Sequence, residues 1–309
     1  MEKPKVIVIC GPTASGKTAL SIKLAKEING EIVSADSMQI YEDMDIGTAK
    51  PTVQEMEGIQ HYLIGSVSPT VRYSVANFKK DATNCIEEII KKGKTPIIVG
   101  GTGLYVDSLV NGINYDDYEV DLQYRNELEK IAEENGLEKV YDMAKKIDEQ
   151  AMEKISINDK KRIFRVLEIF HSTGKTKTEQ EIESKKLENP YNFIVFGIDM
   201  EREKLYERIN KRVDIMINNG LIDEVKKLIS KYKELPTAIQ GLGYKEVVTY
   251  LNNEITFEEM VEKIKLETRH YAKRQLTWFR RNKQIIWING LDTIQNNINI
   301  ILEGVNGEK

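Results

Sequence analysis

Short apolar runs alternate with helix-periodic segments along most of the chain. Six runs have the length and the β-branched content of strands, and they occupy residues 5–10, 31–35, 61–66, 95–99, 193–198 and 285–288. Between them, apolar residues recur at helical spacing, most clearly in 74–92, which stops at Gly93. Strands that alternate with helices predict an α/β fold with a parallel sheet flanked by helices.

The alternation is interrupted between residues 116 and 188, where the strand pattern is missing. This stretch is highly charged and carries a helical apolar stripe formed by Leu128, Ile131, Leu137, Val140, Met143, Ala144 and Ile147. We therefore expect a helical insertion domain at 116–188 and an α/β core domain formed by 1–115 and 189–309. The insertion either closes over the carboxyl edge of the sheet or is a helical decoration without a role in substrate handling.

The composition is that of a globular protein without an export or membrane signal. The 309 residues are 40% hydrophobic and 30% charged, and the apolar run near the N-terminus is too short for a signal peptide or a membrane span. Cys10 and Cys85 lack metal-ligand spacing, which favours buried thiols in a reducing compartment. We expect a cytoplasmic monomer that does not bind membranes.

Charge is distributed unevenly, although the net charge is only −4. Residues 263–283 contain eight Lys or Arg and one acidic residue, Glu267. On a helical wheel, one side carries Arg269, Lys273 and Arg280. The opposite, apolar side comprises Val261, Ile264, Tyr271, Trp278 and Phe279. A packed helix with a basic face suits a nucleic-acid backbone, and the alternative is a solvated surface without a ligand.

The first predicted strand is followed by a phosphate-binding motif. The pattern G-x4-G-K-[ST] is complete in Gly11, Pro12, Thr13, Ala14, Ser15, Gly16, Lys17 and Thr18. An amphipathic helix follows, so its first N–H groups and Lys17 are available to a phosphate oxyanion. The Thr18 hydroxyl suits Mg²⁺ held between phosphates. The motif predicts binding of a di- or triphosphate, and the alternative is a glycine-rich turn.

Two further segments follow predicted strands at the same edge of the sheet. Asp36 comes after the second strand, where a carboxylate acts as a general base, binds Mg²⁺ indirectly or caps the next turn. Another strand ends in the glycine-rich segment 100–103, in which Thr102 offers the one hydroxyl. Neither Ile98 nor Val99 is followed by the Asp of a Walker B strand, so the residues for NTP hydrolysis are incomplete.

Five sequence blocks occur in one order along the chain. They are GPTASGKT at 11–18, SADSMQIYEDMDIGTAKP at 34–51, GGTGLY at 100–105, RIFRVLEI at 162–169 and HYAKRQLTWFR at 270–280. Together they resemble the tRNA dimethylallyltransferase family in its bacterial form. This resemblance implies a P-loop NTPase-like core, Mg²⁺, and transfer of a dimethylallyl group from dimethylallyl diphosphate. The acceptor implied is the exocyclic N6 amine of the adenosine 3′-adjacent to the anticodon in tRNA.

The resemblance also implies roles for individual residues. Asp36 resembles the general base, Thr102 lies close to the attacked carbon, and residues 13–18 resemble the diphosphate cradle. Arg212, which shares a helix face with Arg208, is either a further diphosphate ligand or part of a surface ion pair. The residues expected to contact tRNA are Asp36, Ser37, Met38, Gln39, Thr102, Arg125, Lys161, Arg162, Arg165, Gln240, Gly243, Lys245, Arg269, Lys273 and Arg280. Of these, Lys161 stands where the family pattern leads us to expect glutamine.

Two other classes of function share some of these features. A phosphoryl-transferring kinase of a nucleotide or small metabolite would use the same loop, sheet and helical lid, and Asp36 would then activate an acceptor hydroxyl. The basic helix and the missing Walker B carboxylate argue against a kinase. A nucleotide-gated RNA-binding protein would keep the basic residues but would need no base at Asp36.

Overall fold

The computed structural model describes residues 2–113, 121–186 and 188–307. The strands are β1 Lys5–Cys10, β2 Gly30–Ser34, β3 His61–Tyr62, β4 Thr95–Gly100, β5 Asn192–Asp199 and β6 Ile286–Asn289. The helices that precede β5 are α1 Lys17–Glu27, α2 Val53–Met56, α3 Val75–Lys91, α4 Gly103–Val110, α5 Leu122–Asn135, α6 Leu137–Ile147, α7 Glu149–Met152, α8 Lys160–Thr173 and α9 Lys177–Lys186. After β5 come α10 Arg202–Asn218, α11 Leu221–Lys231, α12 Tyr244–Leu251, α13 Phe257–Phe279 and α14 Ile294–Asn306, with a 3-10 turn at Ala238–Gln240.

The strands form one parallel sheet in the order β3-β2-β4-β1-β5-β6. In its centre, Cys10 at the end of β1 is in register with Gly100 at the end of β4. Ser34 at the end of β2 is in register with Val99. Because these three strands end within one residue of each other, the segments that follow them leave the sheet at one edge.

Helices cover both faces of the sheet, and the alternation of side chains along β1 explains why. Val6 and Val8 point into a core shared with α3 and α4, where Phe78 stacks on Tyr105 with ring centroids 4.1 Å apart. Ile7 and Ile9 point the other way, into a core shared with α1 and α14. A strand buried on both faces reads as a continuous apolar run, as β1 does.

A third apolar core lies beyond the carboxyl edge and is built from the segment between β5 and β6. Val213 of α10, Leu221 of α11, Tyr244 of α12 and Ile264 of α13 are buried there together with Tyr41 from the segment after β2. This helical layer supplies a wall above the strand ends.

The chain forms two compact units, residues 1–110 with 190–309, and residues 111–189. The second unit is helical, with α5 to α9 in its described part. Leu128, Val140 and Ala144 of the predicted apolar stripe are fully buried in its core, and the other members of the stripe are partly buried against them. The prediction of a charged helical segment with an apolar stripe is therefore confirmed.

The predicted fold class, a parallel α/β sheet flanked by helices, is confirmed, and most strand limits agree within one or two residues. The exception is the strand predicted at 61–66, which ends at Tyr62. Leu63 and Gly65 adopt φ values of 58° and 56°, in the left-handed region, so the extended chain cannot continue. Among the described residues, no helix is long and apolar enough to cross a membrane.

The end of β4 generates a prediction about stability. A Cβ atom at Gly100 would overlap the backbone carbonyl group of Ala35, which cannot move without disturbing β2. Gly100→Ala should therefore lower the free energy of unfolding in urea by about 1–3 kcal/mol, and Gly100→Val should lower it further. An unchanged unfolding midpoint in Gly100→Ala would show that the two strand ends do not pack this closely.

Candidate active site

The predicted phosphate-binding loop connects β1 to α1. Ala14 has a φ of 63°, and α1 begins at Lys17. Ser15 is buried, and its hydroxyl oxygen has no hydrogen-bond partner among the described residues. A buried hydroxyl without a partner costs free energy, so the loop contains a donor that a bound oxyanion would satisfy.

Two cationic side chains meet at this loop. The Lys17 Nζ donates to the carbonyl oxygens of Gly11 and Pro12 at 3.0 and 2.7 Å. Nη1 of Arg212, from α10, donates to Oγ1 of Thr13 at 3.2 Å, and Arg212 forms no ion pair among the described residues. Burial lowers the pKa of both groups, and the Arg212 charge further lowers the pKa of Lys17, to about 8. Two half-buried cations at the same cavity favour an anionic ligand between them.

Asp36 follows β2 and lies at the same edge. Its Oδ1 accepts hydrogen bonds from the backbone N–H groups of Met38 and Gln39 at 2.9 and 3.2 Å. The turn-capping interpretation is thus confirmed, but it uses only one carboxylate oxygen. Oδ2 accepts no hydrogen bond within the part of the chain that the structure describes, and Asp36 is half-buried. The second oxygen is available to another group.

Thr102 lies next to this turn. Its Oγ1 accepts from the backbone N–H of Ser37 at 3.0 Å and donates to the Ser37 hydroxyl at 3.3 Å. The Thr102 N–H donates to the carbonyl oxygen of Ala35 at 3.2 Å. These bonds join the segment after β4 to the segment after β2, and they fix the hydroxyl beside the carboxylate.

Most of these groups line one cavity of about 370 Å³. The polar side includes Thr13, Lys17, Thr18, Asp36 and Arg212. The apolar side comes from α10 and α13 and consists of Ile209, Val213, Met216, Ile264 and Tyr271. Another side is formed by residues 37–39 and by three residues that are predicted to contact tRNA, Gln240, Gly243 and Lys245. An anion site, a carboxylate and an apolar wall therefore share one space.

Gln275 of α13 ties two sides of the cavity together. Its Oε1 accepts from the backbone N–H of Thr13 at 2.9 Å, and its Nε2 donates to the carbonyl oxygen of Gly101 at 2.9 Å. The side chain is buried, so both bonds are shielded from water. One amide thus holds the phosphate-binding loop at a fixed distance from the glycine-rich segment.

The segment 44–50, which belongs to the second sequence block, forms a further part of the wall through Gly47 and Thr48. The Gln39 side-chain amide donates to the carbonyl oxygens of Thr48 and Ala49 at 3.1 and 3.3 Å. On the other side, the Glu224 carboxylate of α11 accepts from the N–H groups of residues 45–47. Gln39, which is predicted to contact tRNA, therefore also stabilises the segment 44–50 through hydrogen bonds.

The basic residues of α13 differ in how free their side chains are. Arg269 is half-buried and donates to Oδ1 of Asn210 at 2.7 Å. Arg280 is exposed and bonds both carboxylate oxygens of Asp199 at 3.1 Å. Lys273 is exposed, and its amine has no partner among the described residues. The predicted apolar side of the helix is partly or fully buried, as expected.

The remaining predicted tRNA-contacting residues belong to the helical unit. Lys161 and Arg162 are exposed on α8, and Arg165 is half-buried. Arg162 pairs with Asp159 at 3.1 Å. Arg125 of α5 lies 3.4 Å from the buried Glu168 carboxylate and neutralises its charge.

Several residues at the cavity were not predicted. Gln275 is the clearest example. The sequence indicates it only by placing a polar side chain on the apolar side of the α13 helical wheel. Tyr271 was assigned only to the apolar side, yet burial raises the pKa of its hydroxyl to about 12, so it stays protonated beside Thr102. Glu224 gave no signal, because its backbone partners at 45–47 lie about 180 residues away along the chain.

Comparison with known sequences identifies the family. The profile of the IPP transferase family matches residues 39–282. The chain belongs to the IPP transferase family. A tRNA dimethylallyltransferase of Acetivibrio thermocellus is 52% identical over 285 residues, which are 92% of this chain and 91% of that protein. Another, of Halothermothrix orenii, is 50% identical over 289 residues, 93% of this chain and 88% of its own length.

Solved structures of IPP transferases agree with this assignment. The crystal structure of tRNA delta(2)-isopentenylpyrophosphate transferase from Staphylococcus epidermidis has a TM-score of 0.72 and 43% identity, and the match covers 99% of this chain and all of that one. A eukaryotic dimethylallyltransferase acting on tRNA has a TM-score of 0.81 and 31% identity, over 98% of this chain and 80% of that one. The resemblance inferred from the five sequence blocks is confirmed.

The Gln275 bridge can be tested by stability. Gln275→Leu keeps the approximate volume but leaves the Thr13 N–H and the Gly101 carbonyl group without partners. Urea unfolding should show a loss of about 1–3 kcal/mol per buried group left unsatisfied. The same change at the exposed Gln54 of α2 is the control and should have little effect. Equal unfolding midpoints for the two variants would contradict the bridge.

Proposed function

We propose that the protein transfers the dimethylallyl group of dimethylallyl diphosphate to the N6 amine of the adenosine 3′-adjacent to the anticodon in tRNA. The observation that carries this proposal is one cavity that is lined by two half-buried cations, Lys17 and Arg212, by the Asp36 carboxylate and by apolar side chains. Names and structures of the family members described above support the same substrate pair. All of the proposed cavity residues belong to one chain, so we propose that a monomer carries out the transfer. It would act in the cytoplasm, where tRNA is available.

The diphosphate is proposed to bind residues 11–18. The N-terminal N–H groups of α1, Lys17 and Arg212 then hold the leaving group and stabilise the charge that grows on it. The Ser15 hydroxyl gains an acceptor when an oxyanion enters the loop. Ile209, Val213 and Met216 offer the five-carbon chain an apolar surface.

Asp36 is proposed as the general base. The N6 nitrogen attacks the allylic carbon, the bond from that carbon to the diphosphate oxygen breaks, and the amine proton passes to the free carboxylate oxygen of Asp36. An arylamine is a weak nucleophile, so removal of its proton during attack lowers the barrier. Thr102 and Tyr271 are proposed to orient the base, which must leave the anticodon stack to enter the cavity.

The oxygen donors at the cavity suit Mg²⁺ that enters bound to the diphosphate. Among the described residues, no three His, Cys, Asp or Glu side chains are grouped to hold a metal. The Thr18 hydroxyl, a hard oxygen donor that lines the same cavity, would hold the ion together with phosphate oxygens and water. Once bound, it would neutralise charge on the departing diphosphate.

The tRNA is proposed to contact the residues 36–39, the segment from Gln240 to Lys245 and the basic side chains of α8 and α13. Lys273 is already free for a phosphate group. Arg280 would have to exchange its ion pair with Asp199 for one with the backbone, and such exposed pairs are weak. Arg269 would act from its position against Asn210.

A transfer assay without ATP tests the proposed function. The protein is incubated with dimethylallyl diphosphate labelled in the prenyl group, unmodified tRNA and Mg²⁺, and the tRNA is then digested to nucleosides. We expect label in N6-substituted adenosine from the position 3′ of the anticodon. Absence of label in tRNA, or transfer of phosphate from ATP to a small acceptor, would contradict the proposal and favour the kinase class.

The pKa of Lys17 generates a prediction about pH. Since burial lowers this pKa to about 8 in the free protein, the amine loses its proton as the pH rises through 8, and its attraction to the diphosphate is lost with it. The dissociation constant for dimethylallyl diphosphate should therefore rise about tenfold between pH 7 and pH 9.5, since a charge-assisted hydrogen bond is worth about 1.5–3 kcal/mol. Calorimetry in several buffers measures this and the accompanying proton uptake.

The control for the pH dependence is Lys17→Met, which keeps the length of the side chain without an ionisable group. This variant should bind weakly at every pH and should show little rise above pH 8. A slope as steep as that of the unmodified protein would show that another group is responsible.

A further inference from the structure

The Glu224 carboxylate accepts four hydrogen bonds, two of them from residues that line the cavity, Gly47 and Tyr244. Its Oε2 accepts from the N–H groups of Asp45 and Ile46 at 2.8 and 2.7 Å. Its Oε1 accepts from the N–H of Gly47 at 3.0 Å and from the Tyr244 hydroxyl at 2.6 Å. Three consecutive N–H groups that converge on one carboxylate form an anion-binding turn, and here the anion is part of the protein.

The turn at 45–47 is held tightly against α12. The ring of Tyr244 lies so close to Gly47 that a Cβ atom there would come within 2.5 Å of it. At the other end of α11, Lys231 and Tyr232 bind the Asp43 carboxylate. Residues at both ends of α11 therefore hydrogen-bond to the segment 43–47.

This segment faces the acceptor side of the cavity. Gly47 and Thr48 line the same space as Asp36, and the Gln39 side chain connects the Asp36 turn to the Thr48 carbonyl. Tyr244 lines the same space, next to Gln240 and Gly243, and its ring packs against Gly47. The Glu224 carboxylate thus bonds two segments that meet at one part of the cavity lining.

We propose that Glu224 is a positioning residue for the acceptor adenosine: it holds the 45–47 turn against Tyr244, and thereby sets the shape of the cavity lining and the fit of the base beside Asp36. This inference rests on the proposed function. Glu224 lines no part of the cavity itself and touches no phosphate-binding residue, so its effect is confined to the acceptor half.

The chemistry requires a carboxylate. A glutamine at 224 has one acceptor oxygen and one amide nitrogen, and the nitrogen can only donate. Whichever way the amide turns, at least one backbone N–H of the turn faces another donor and loses its partner. Glu224→Gln therefore removes the anchor while it preserves the shape of the side chain.

The test compares Glu224→Gln with Asp223→Asn. Asp223 is the neighbouring residue on α11, is exposed, and pairs only with Lys226 at 3.5 Å, so its variant loses the same charge without touching the turn. Each protein is assayed for prenyl transfer to tRNA, for equilibrium binding of dimethylallyl diphosphate and for hydrogen exchange of the backbone amides of 45–47.

For Glu224→Gln, we expect kcat/KM for tRNA to fall at least tenfold, the dissociation constant for dimethylallyl diphosphate to stay within twofold, and the three amides to exchange faster. Asp223→Asn should behave as the unmodified protein in all three. Equal kcat/KM in the two variants would overturn the inference, and so would an equal loss of diphosphate binding and transfer in Glu224→Gln, which indicates general misfolding.

A second variant moves the same wall without changing Glu224. Gly47→Ala places a methyl group against the Tyr244 ring and should give the same selective loss toward tRNA. If Gly47→Ala keeps full transfer activity, the position of this wall does not control acceptor fit. Failure of the unmodified protein to transfer any prenyl group would instead refute the proposed function, and the exchange rates of 45–47 would still report whether Glu224 anchors the turn.

Discussion

The parallel register of β1, β2 and β4 is the constraint on which the site depends. The ends of these strands lie within one residue of each other, so the phosphate-binding loop, the Asp36 turn and the Thr102 segment begin side by side. Hydrogen bonds between Thr102 and Ser37, and those made by Gln275, then fix their separation. A slip of one residue between two strands would reverse every side chain and separate the groups.

Electrostatics at this edge favours an anion before any ligand is present. Lys17 and Arg212 are half-buried at the same cavity, and the negative charge of Asp36 raises the pKa of each, which offsets part of the cost of desolvation. The backbone N–H groups of α1 add to the same field. A site with two cations and one carboxylate is suited to a reaction in which an anionic group departs and a proton is accepted nearby.

Much of the fold and the central part of the site could be predicted from the sequence, because they depend on local patterns. The apolar run of β1, the phosphate-binding motif, and the positions of Asp36 and Thr102 after strands are properties of short segments. The helical wall between β5 and β6 and the role of Glu224 could not be predicted, because they arise only when segments distant in sequence pack together. For Gln275 the sequence shows a polar residue on an apolar helix face, but not the two groups that it bonds. The early end of β3 depends on the left-handed conformation of Leu63, which its residue type does not favour.

Asp36→Asn provides the most direct test of the claim that one cavity joins a diphosphate site to a general base. The change keeps the size of the side chain and the oxygen that caps the turn, but it removes the proton acceptor. Single-turnover transfer should slow by about 10²–10⁴-fold, while equilibrium binding of tRNA and of dimethylallyl diphosphate changes far less, because the lost interaction belongs to the transition state. Full activity in Asp36→Asn, or a loss of diphosphate affinity as large as the loss of rate, would contradict the account.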